Sequence, residues 1–534
     1  MAVYNESLVE IPEGDGVHIK VAGAKGEKYV YKYVKYFRNA EGNPRNKAKA
    51  IGRFDVSSGK MFPNGNYFNL YNIDPAMPNI DVWDYGYSYL VLKVCRDMGL
   101  FDCLVGVFGE ERTMDIVVMA SYIIREGSAM DGIDDWQLRN YFPNYSRLLT
   151  SQSTSKIFAA ISAQKTNNFF KNWVKISMGE GTVCYDVTSI SSYAQQMPAV
   201  ERGYNRDGEN LAQFNLGMFC DESSKTPIYY NRYNGSLTDK TNLSYVLANA
   251  EAVGIKRVKM VFDGGFMDKG CLASLSDLCN GFIVGLPTHL KESQNLLDSY
   301  GSSVNNYANE VNVPHTFCIA VDCEIQGVSG KVLLYFDALS HVLLCNELSE
   351  KINRLKAELS TLKRYPKSKL KRYDPYFTIT KHKQGSGFDY EVDAVKVEKI
   401  RKSKGLFMIF TTDMESTPED TLYHYRAKDV VEKLFDQIKC DMEGNRIRTH
   451  NEQTTDGKVF VTFVACVIRT YLLNKLNQYL KDNSTSLKKV LSQLSNITIV
   501  SGAKGLRFTK ALSKKQKQIL KPFEADSAII TSLE

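Results

Sequence analysis

Apolar side chains change their spacing several times along the chain, and each change predicts a different element. Over residues 15–75 they alternate with basic and tyrosine residues. VHIKVAG, KYVYKYVKYF and KAKAIGRFD read as short strands, with NAEGNPR as the turn between two of them. Between 80 and 175 they recur every three or four residues, in YSYLVLKVCRDMGLFDCLVGVFG, TMDIVVMASYIIREG and TSKIFAAISAQKTNNFFKNWVKISM, which predicts helices. From 181 strand and helix alternate: GTVCYDVTSISSYA is a strand, NLAQFNLGMFCD and PIYYNRYNG a hairpin, LTDKTNLSYVLANAEAVG a helix. KRVKMVFDGG is then a strand, DKGCLASLSDLCNG a helix and GFIVGLP a strand. This order predicts an α/β fold, a mixed sheet flanked by helices.

Residues 291–405 break the alternation with β-rich runs (HTFCIAVDCEIQ, KVLLYFDALSHVLL, FDYEVDAVKVEKI) around a basic helix, ELSEKINRLKAELSTLKRY. LFMIFTTD then leads to a helix with a well-marked start: Thr417 as N-cap, Pro418 at the first helical position and Asp420 in the first turn. At 534 residues the chain exceeds what one core organises. The shifts in pattern divide it into 1–75 (β-rich), 76–178 (helical), 179–290 and 406–480 (two parts of the sheet-based core), 291–405 (a β-rich insertion) and 481–534 (a C-terminal region, expected to make a dimer or DNA contact).

The helix beginning at Pro418 carries Tyr425, Lys428, Glu432 and Lys439. At about 100° per residue these fall within roughly 60° of one another. Val430, Val431, Leu434, Phe435 and Ile438 occupy the other side. A carboxylate flanked by cations and a tyrosine on one stripe suits a site that handles both metal and phosphate.

Composition, 43% apolar and 24% charged, is that of a globular protein. The most apolar run, VFVTFVACVI at 459–468, is too short for a membrane span and reads as a buried helix. The start MAVYNESLVEIPEGDG lacks a basic segment followed by an apolar one, so export is not expected. Eleven scattered cysteines without CxxC pairs fit reduced thiols, and Cys318 with Cys323 is the closest pair. The net charge of +7 is concentrated. Lys20–Arg53 holds ten basic residues against Glu27 and Glu41, and Lys351–Arg372 holds nine against Glu358. Two such clusters predict a polyanionic partner, with nucleic acid foremost. Lys28, Lys32, Lys35, Arg38, Arg45, Lys47 and Lys49 are the candidates in the first, and Lys363, Arg364, Lys367 and Lys369 in the second. Solvated lysine-rich faces are the plain alternative.

Two aspartates complete the chemical pattern. Asp186 sits mid-strand in VCYDVTSI, where a sheet favours an apolar residue, and Asp263 ends VKMVFDGGF where glycines turn the chain away. Carboxylates so placed can converge with a third from a helix alongside. Three oxygen donors suit Mg²⁺ or Mn²⁺, and two such ions about 3.5–4 Å apart serve an in-line phosphodiester displacement. Each residue also has a plainer role. Asp186 could bond Thr188 or Ser189, Asp263 could stabilise the Gly264–Gly265 turn, and Asp429 and Asp436 compete with Glu432 as ligands.

YDVT at 185–188, DGGF at 263–266 and the Tyr425, Lys428, Glu432, Lys439 spacing resemble the DDE transposases of bacterial insertion sequences, in the IS4-like group and its IS1634-type branch. That family's helix reads Y-x2-R-x3-E-x6-K. Here lysine replaces the arginine, trading a bidentate fork for a point charge, and Arg426 is a neighbouring substitute. RGYNRDGENLAQFNLGM, PIYYNRYNGSLTD, RIRTHNEQTTDGKVFVTFVACVIRTYL and YFRNAEGNPRNKAKAIGRFD also resemble family blocks. The resemblance implies an RNase H-like core with Asp186, Asp263 and Glu432 as the catalytic, metal-binding triad. Tyr425, Arg426, Lys428 and Lys439 would contact the DNA end. It further implies two Mg²⁺ or Mn²⁺ ions, transposon terminal inverted repeats and target DNA as substrates, a homodimer in the synaptic complex, and a cytoplasmic, nucleoid-associated location in a bacterium. Some relatives stack a flipped base on a tryptophan of the insertion. Here Trp83, Trp136 and Trp173 all precede the sheet, so Tyr365, Tyr373, Tyr376 or Phe377 would have to serve. An endonuclease of the same fold that cleaves without joining, and a domesticated DNA-binding regulator, remain as alternatives.

Overall fold

Lysines and tyrosines alternate over Lys28–Arg38, and the chain there takes the extended form that this alternation favours. The computed structural model describes residues 8–22, 26–39, 41–73, 82–179, 181–194, 197–256, 258–502 and 505–533. Outside the described residues lie Gly23, Ala40 and Arg257 of the predicted strands and turn, the start of the N-terminal stretch, and the boundary region 74–81. The chain forms two units. One runs to Asp84 and includes Ile497–Ala511; the other comprises Tyr85–Asn496 and Leu512–Ser532. The predicted C-terminal region is thus divided between them.

In the first unit Val17–Val21, Lys28–Arg38, Pro44–Phe54 and Met61–Pro63 form an antiparallel sheet. Val30, Ile51 and Met61 make its buried core, with Val9, Ile11 and Phe54 packed against them. A second antiparallel sheet joins Val82–Asp84, Thr498–Gly502 and Gly505–Phe508.

The second unit is built on a nine-stranded mixed sheet. Its order is Thr316–Ile325, Val328–Asp337, Leu406–Thr411, Gly281–Leu286, Lys259–Phe262, Thr182–Ser192, Gln213–Asp221, Pro227–Asn234. The short strand Arg446–Ile447 also pairs with Thr182–Ser192. Lys259–Phe262 runs parallel to both its neighbours; the strands toward either edge pair antiparallel. Gly281–Leu286 and Gln213–Asp221 are buried along their whole length, as strands covered on both faces must be.

The segment 291–405 differs from a separate β-rich insertion. Its two long strands extend the core sheet, and Leu406–Thr411 slots between them and Gly281–Leu286. Two runs that read as β turn helical. Asp337 caps the helix Ala338–Thr361, its Oδ1 accepting from Ser340 N at 2.9 Å, and Asp393 caps Ala394–Ser403, accepting from Lys396 N at 3.1 Å. An aspartate N-cap converts the end of an alternating run into a helix start. The segment also holds the helix Lys291–Tyr300 and the hairpin Phe377–Lys381 with Phe388–Val392, the latter packed on a small core of Leu355, Leu359, Tyr373 and Phe377.

Helices cover the sheet. Ala163–Ser177 packs on Pro227–Asn234, where the Trp173 indole N–H donates to the Pro227 carbonyl at 3.0 Å. Glu452–Asp482 is long and apolar enough to cross a membrane, yet Val459–Ile468 is almost wholly buried in the unit, matching the expected core helix. Gly457 lets this helix approach Ser151–Ala159 closely, because a Cβ there would overlap the Phe158 carbonyl. Gly457→Ala is expected to lower stability by roughly 1–3 kcal/mol, the range for overpacking a tight contact. Chemical denaturation checks it, and an unchanged midpoint would show that the helices separate freely.

Candidate active site

The parallel register of Thr182–Ser192 with Lys259–Phe262 pairs Thr182 with Lys259, Val183 with Met260 and Cys184 with Val261. Carried two residues further, it sets Asp186 opposite Asp263. Among the eleven residues of its strand, Asp186 alone is not fully buried. Its Oδ1 accepts from Val187 N at 2.8 Å, and neither Thr188 nor Ser189 binds it. Asp263 lies where the strand ends, before the Gly264–Phe266 turn.

The third carboxylate, Glu432, comes from the helix that follows a capped one. Thr417 Oγ1 accepts from Asp420 N at 3.1 Å and Pro418 opens the first turn, as the sequence predicts. The single stripe does not persist. The helix Pro418–Ala427 gives way at Lys428 to Asp429–Asp436, and Gln437–Asp441 widens to a π-turn. Lys428 N bonds Tyr425 O at 3.3 Å and Val431 N bonds Lys428 O at 2.8 Å, an i→i+3 tightening. The wide turn leaves Ile438 and Met442 buried while Lys439 turns to Asp207, whose oxygens lie 2.6 and 2.7 Å from its Nζ. Lys439 therefore meets an internal acid here and stands apart from the other three.

Lys428 joins the remaining groups. Its Nζ lies 3.1 Å from Asp263 Oδ1 and 2.8 Å from Glu432 Oε1, and 5.8 Å from the Tyr425 ring centre. Burial alone would lower this ammonium; the Glu432 hydrogen bond and the Asp263 charge hold it above the ordinary lysine value. Asp186 is pushed up to about 6, mainly by burial. The Val187 hydrogen bond and the Lys428 charge oppose the rise, and Asp263 adds to it. Burial raises the Tyr425 phenol, with the Asp263 charge acting the same way. Gly285 makes room for that ring, since a Cβ there would collide with the Tyr425 hydroxyl. Asp429 pairs outward with Lys433 at 2.5 Å, which leaves Glu432 as the acid facing Asp263.

Among the described residues, no group of three or more His, Cys, Asp or Glu has the geometry of a metal site. The donor chemistry nonetheless fits a hard divalent ion. Asp263 and Glu432 both face one cation, Lys428, and Asp186 lies within electrostatic reach of Lys428 and Asp263. Cys318 and Cys323, five apart on one strand, point to opposite faces.

The other expected contacts are scattered. Arg426 reaches Asp337 at 3.4 Å. In the first unit, Lys32 faces Lys49 and Lys35 faces Lys47 across the hairpin, while Lys28, Arg38 and Arg45 lie on the same two strands. Among the described residues, Lys32 and Arg38 donate to backbone carbonyls, of Asp15 and Gly42. No ion pair among the described residues engages these seven. Lys363, Arg364, Lys367 and Lys369 follow the helix Ala338–Thr361, likewise outside any such ion pair. Tyr373 and Phe377 are buried and cannot stack a flipped base; Tyr376 lies beneath Lys351. Residues not singled out in the sequence hold the site together. Arg206 pairs with Asp239, Glu209 with Arg446 at 2.6 Å, and Glu222 with His424 at 2.8 Å. The dense charge of RGYNRDGEN was the available signal.

A family model described as the transposase DDE domain matches residues 177–468, more than half of the chain, and the chain belongs to that family. It is thus a DNA transposase by family, one of a group that generally uses divalent metal ions. No curated protein matches it. Among solved structures it is similar to the piggyBac transposase of a synaptic complex with hairpin DNA. Identity there is 10%, over 76% of this chain and 79% of that one, with a TM-score of 0.36.

The raised Asp186 carboxyl has a measurable consequence. Its value is about 6 in the fold against an ordinary 3.8, so between those pH values the folded chain keeps a proton that the unfolded chain has lost. Stability contributed by the protonated acid is lost as pH rises through that window. In chelator, Asp186→Asn is expected to raise stability at pH 7.5 by up to ~3 kcal/mol. The gain should vanish near pH 4, as followed by denaturation midpoints across pH. A destabilised asparagine variant at neutral pH would contradict the assignment.

Proposed function

We propose that this protein is a cut-and-paste transposase, cleaving and joining DNA at the terminal inverted repeats of an insertion sequence of the IS4-like, IS1634-type group. The meeting of Asp263 and Glu432 on Lys428, with Asp186 near enough to feel the charges of Lys428 and Asp263, carries this reading. The catalytic sheet is read as RNase H-like, and the working form as a homodimer that pairs two DNA ends. Asp186, Asp263 and Glu432 would hold Mg²⁺ or Mn²⁺. When bound, such ions stabilise charge on the attacking and leaving oxygens of an in-line displacement. Lys428, released from its two acids, would face the scissile phosphate as a point charge, and the Tyr425 ring would limit water on that side.

The first unit supports a DNA contact independently. Like charges directly opposite on neighbouring strands are destabilising, so the Lys32–Lys49 and Lys35–Lys47 pairs favour a polyanion laid across them.

Alanine at Asp186, Asp263 or Glu432 is expected to abolish strand cleavage while leaving binding to terminal DNA intact; a cutting-competent alanine variant would falsify the triad. Joining of the cleaved 3′ end to a target, followed on sequencing gels, separates a transposase from an endonuclease that only cuts. Glutamine at Lys32, Lys35, Lys47 and Lys49 together should reduce the slope of log affinity against log salt by roughly 3 to 4. An unchanged slope would place the contact elsewhere.

A further inference from the structure

Lys458 stands near the start of the helix Glu452–Asp482, only 4% exposed, beside the apolar run Val459–Ile468. Among the described residues its ammonium makes no hydrogen bond or ion pair, and the charge acting on it is a second cation, Arg448. Burial, with Arg448 in support, pushes Lys458 down to about 8. A buried, unpaired ammonium beside a guanidinium is costly to a folded chain unless an anion joins them.

Both residues line a cavity of about 250 Å³. Its other wall is the start of the helix Ser151–Ala159, with Ser151, Thr154 and Ser155, and Asp131 is a carboxylate that also lines it. Thr150 caps this nine-residue helix, accepting from Ser153 N at 3.2 Å. The N–H groups of Ser151 and Gln152 make no hydrogen bond among the described residues. Of the two, Ser151 lines the cavity, so its N–H and the positive dipole end of this helix are the features that attract an anion there. The Gly457 contact brings these parts together, since it draws the Lys458 helix against the other.

We propose that this cavity is a phosphate subsite in which Lys458, Arg448 and the first turn of Ser151–Ala159 hold one phosphate group of bound DNA. Only the source of that phosphate rests on the transposase reading. Arg448 follows Arg446–Ile447, which pair with Ser191 and Ser192, beyond Asp186 on the same strand. Continued one residue, that register sets Arg448 level with the seventh residue past Asp186, ~23 Å away at about 3.3 Å per residue. With a rise of 3.4 Å per nucleotide, the subsite would meet a phosphate about seven nucleotides from the scissile one.

The test uses the full chain in chelator. Melting temperature is measured in inorganic phosphate and in chloride of matched ionic strength, and anisotropy titrations follow a short duplex of arbitrary sequence across salt concentration. Phosphate should raise the melting temperature of the unmodified protein. Lys458→Met should melt higher than the parent in chloride, lose the phosphate increment, and show a duplex salt slope smaller by about 0.9. Arg448→Gln, at an exposed position, should lose the increment without altering the core. An increment surviving in both variants overturns the subsite. An increment lost with the duplex slope unchanged supports a phosphate site but overturns DNA as its source. Because the phosphate arm contains neither DNA nor divalent ion, a failure of the triad assignment leaves it standing.

Discussion

Two carboxylates brought within reach of the same point repel, and in this protein a single ammonium reconciles them. Without Lys428, the like charges of Asp263 and Glu432 would oppose each other with no cation between them. With it, an element that ends one strand and a helix 169 residues later are drawn to a common centre. The arrangement also sets the other positions. Lys428 can reach both acids because the chain tightens at the junction of two helices, and Tyr425 can sit above Gly285 because that residue has no side chain.

Much of this was legible in the sequence where short-range physics governs. The Thr417–Pro418–Asp420 start acts through local hydrogen bonds and appears as read. The strands bearing Asp186 and Asp263 follow from apolar runs that only a covered sheet can bury. Legibility ended where distant partners decide. The break at Lys428 leaves no mark in propensity, since the residues on both sides keep helical dihedrals, and the wide turn that sends Lys439 to Asp207 answers to the burial of Ile438 and Met442. Alternation identifies Thr316–Ile325 and Val328–Asp337 as strands, but periodicity carries no information about which sheet they join.

The charged block RGYNRDGEN shows how ion pairs substitute for apolar contact at the edge of the sheet. Arg206, Asp207 and Glu209 each engage a different element: the helix Asp239–Val253, the π-turn and the short strand Arg446–Ile447. Singly, part-exposed pairs contribute little. Together they hold three segments in one orientation, which directional contacts do better than apolar packing. Arg232, half-buried between Glu452 and Asp456, does the same for the start of the long helix.

The position of Leu406–Thr411 bears on how the molecule comes to exist. This strand lies between Gly281–Leu286 and Val328–Asp337, both of which precede it in the chain. As the polypeptide leaves the ribosome, its first aspartates emerge early onto a sheet with an unfilled gap, and only a segment synthesised much later closes it. Such non-local closure is slow and exposes unpaired edges meanwhile. A chain that stops before that segment has Asp186 and Asp263 but neither Lys428 nor Glu432, so the ion pairs that join these elements form only once the later strand and the helices after it exist.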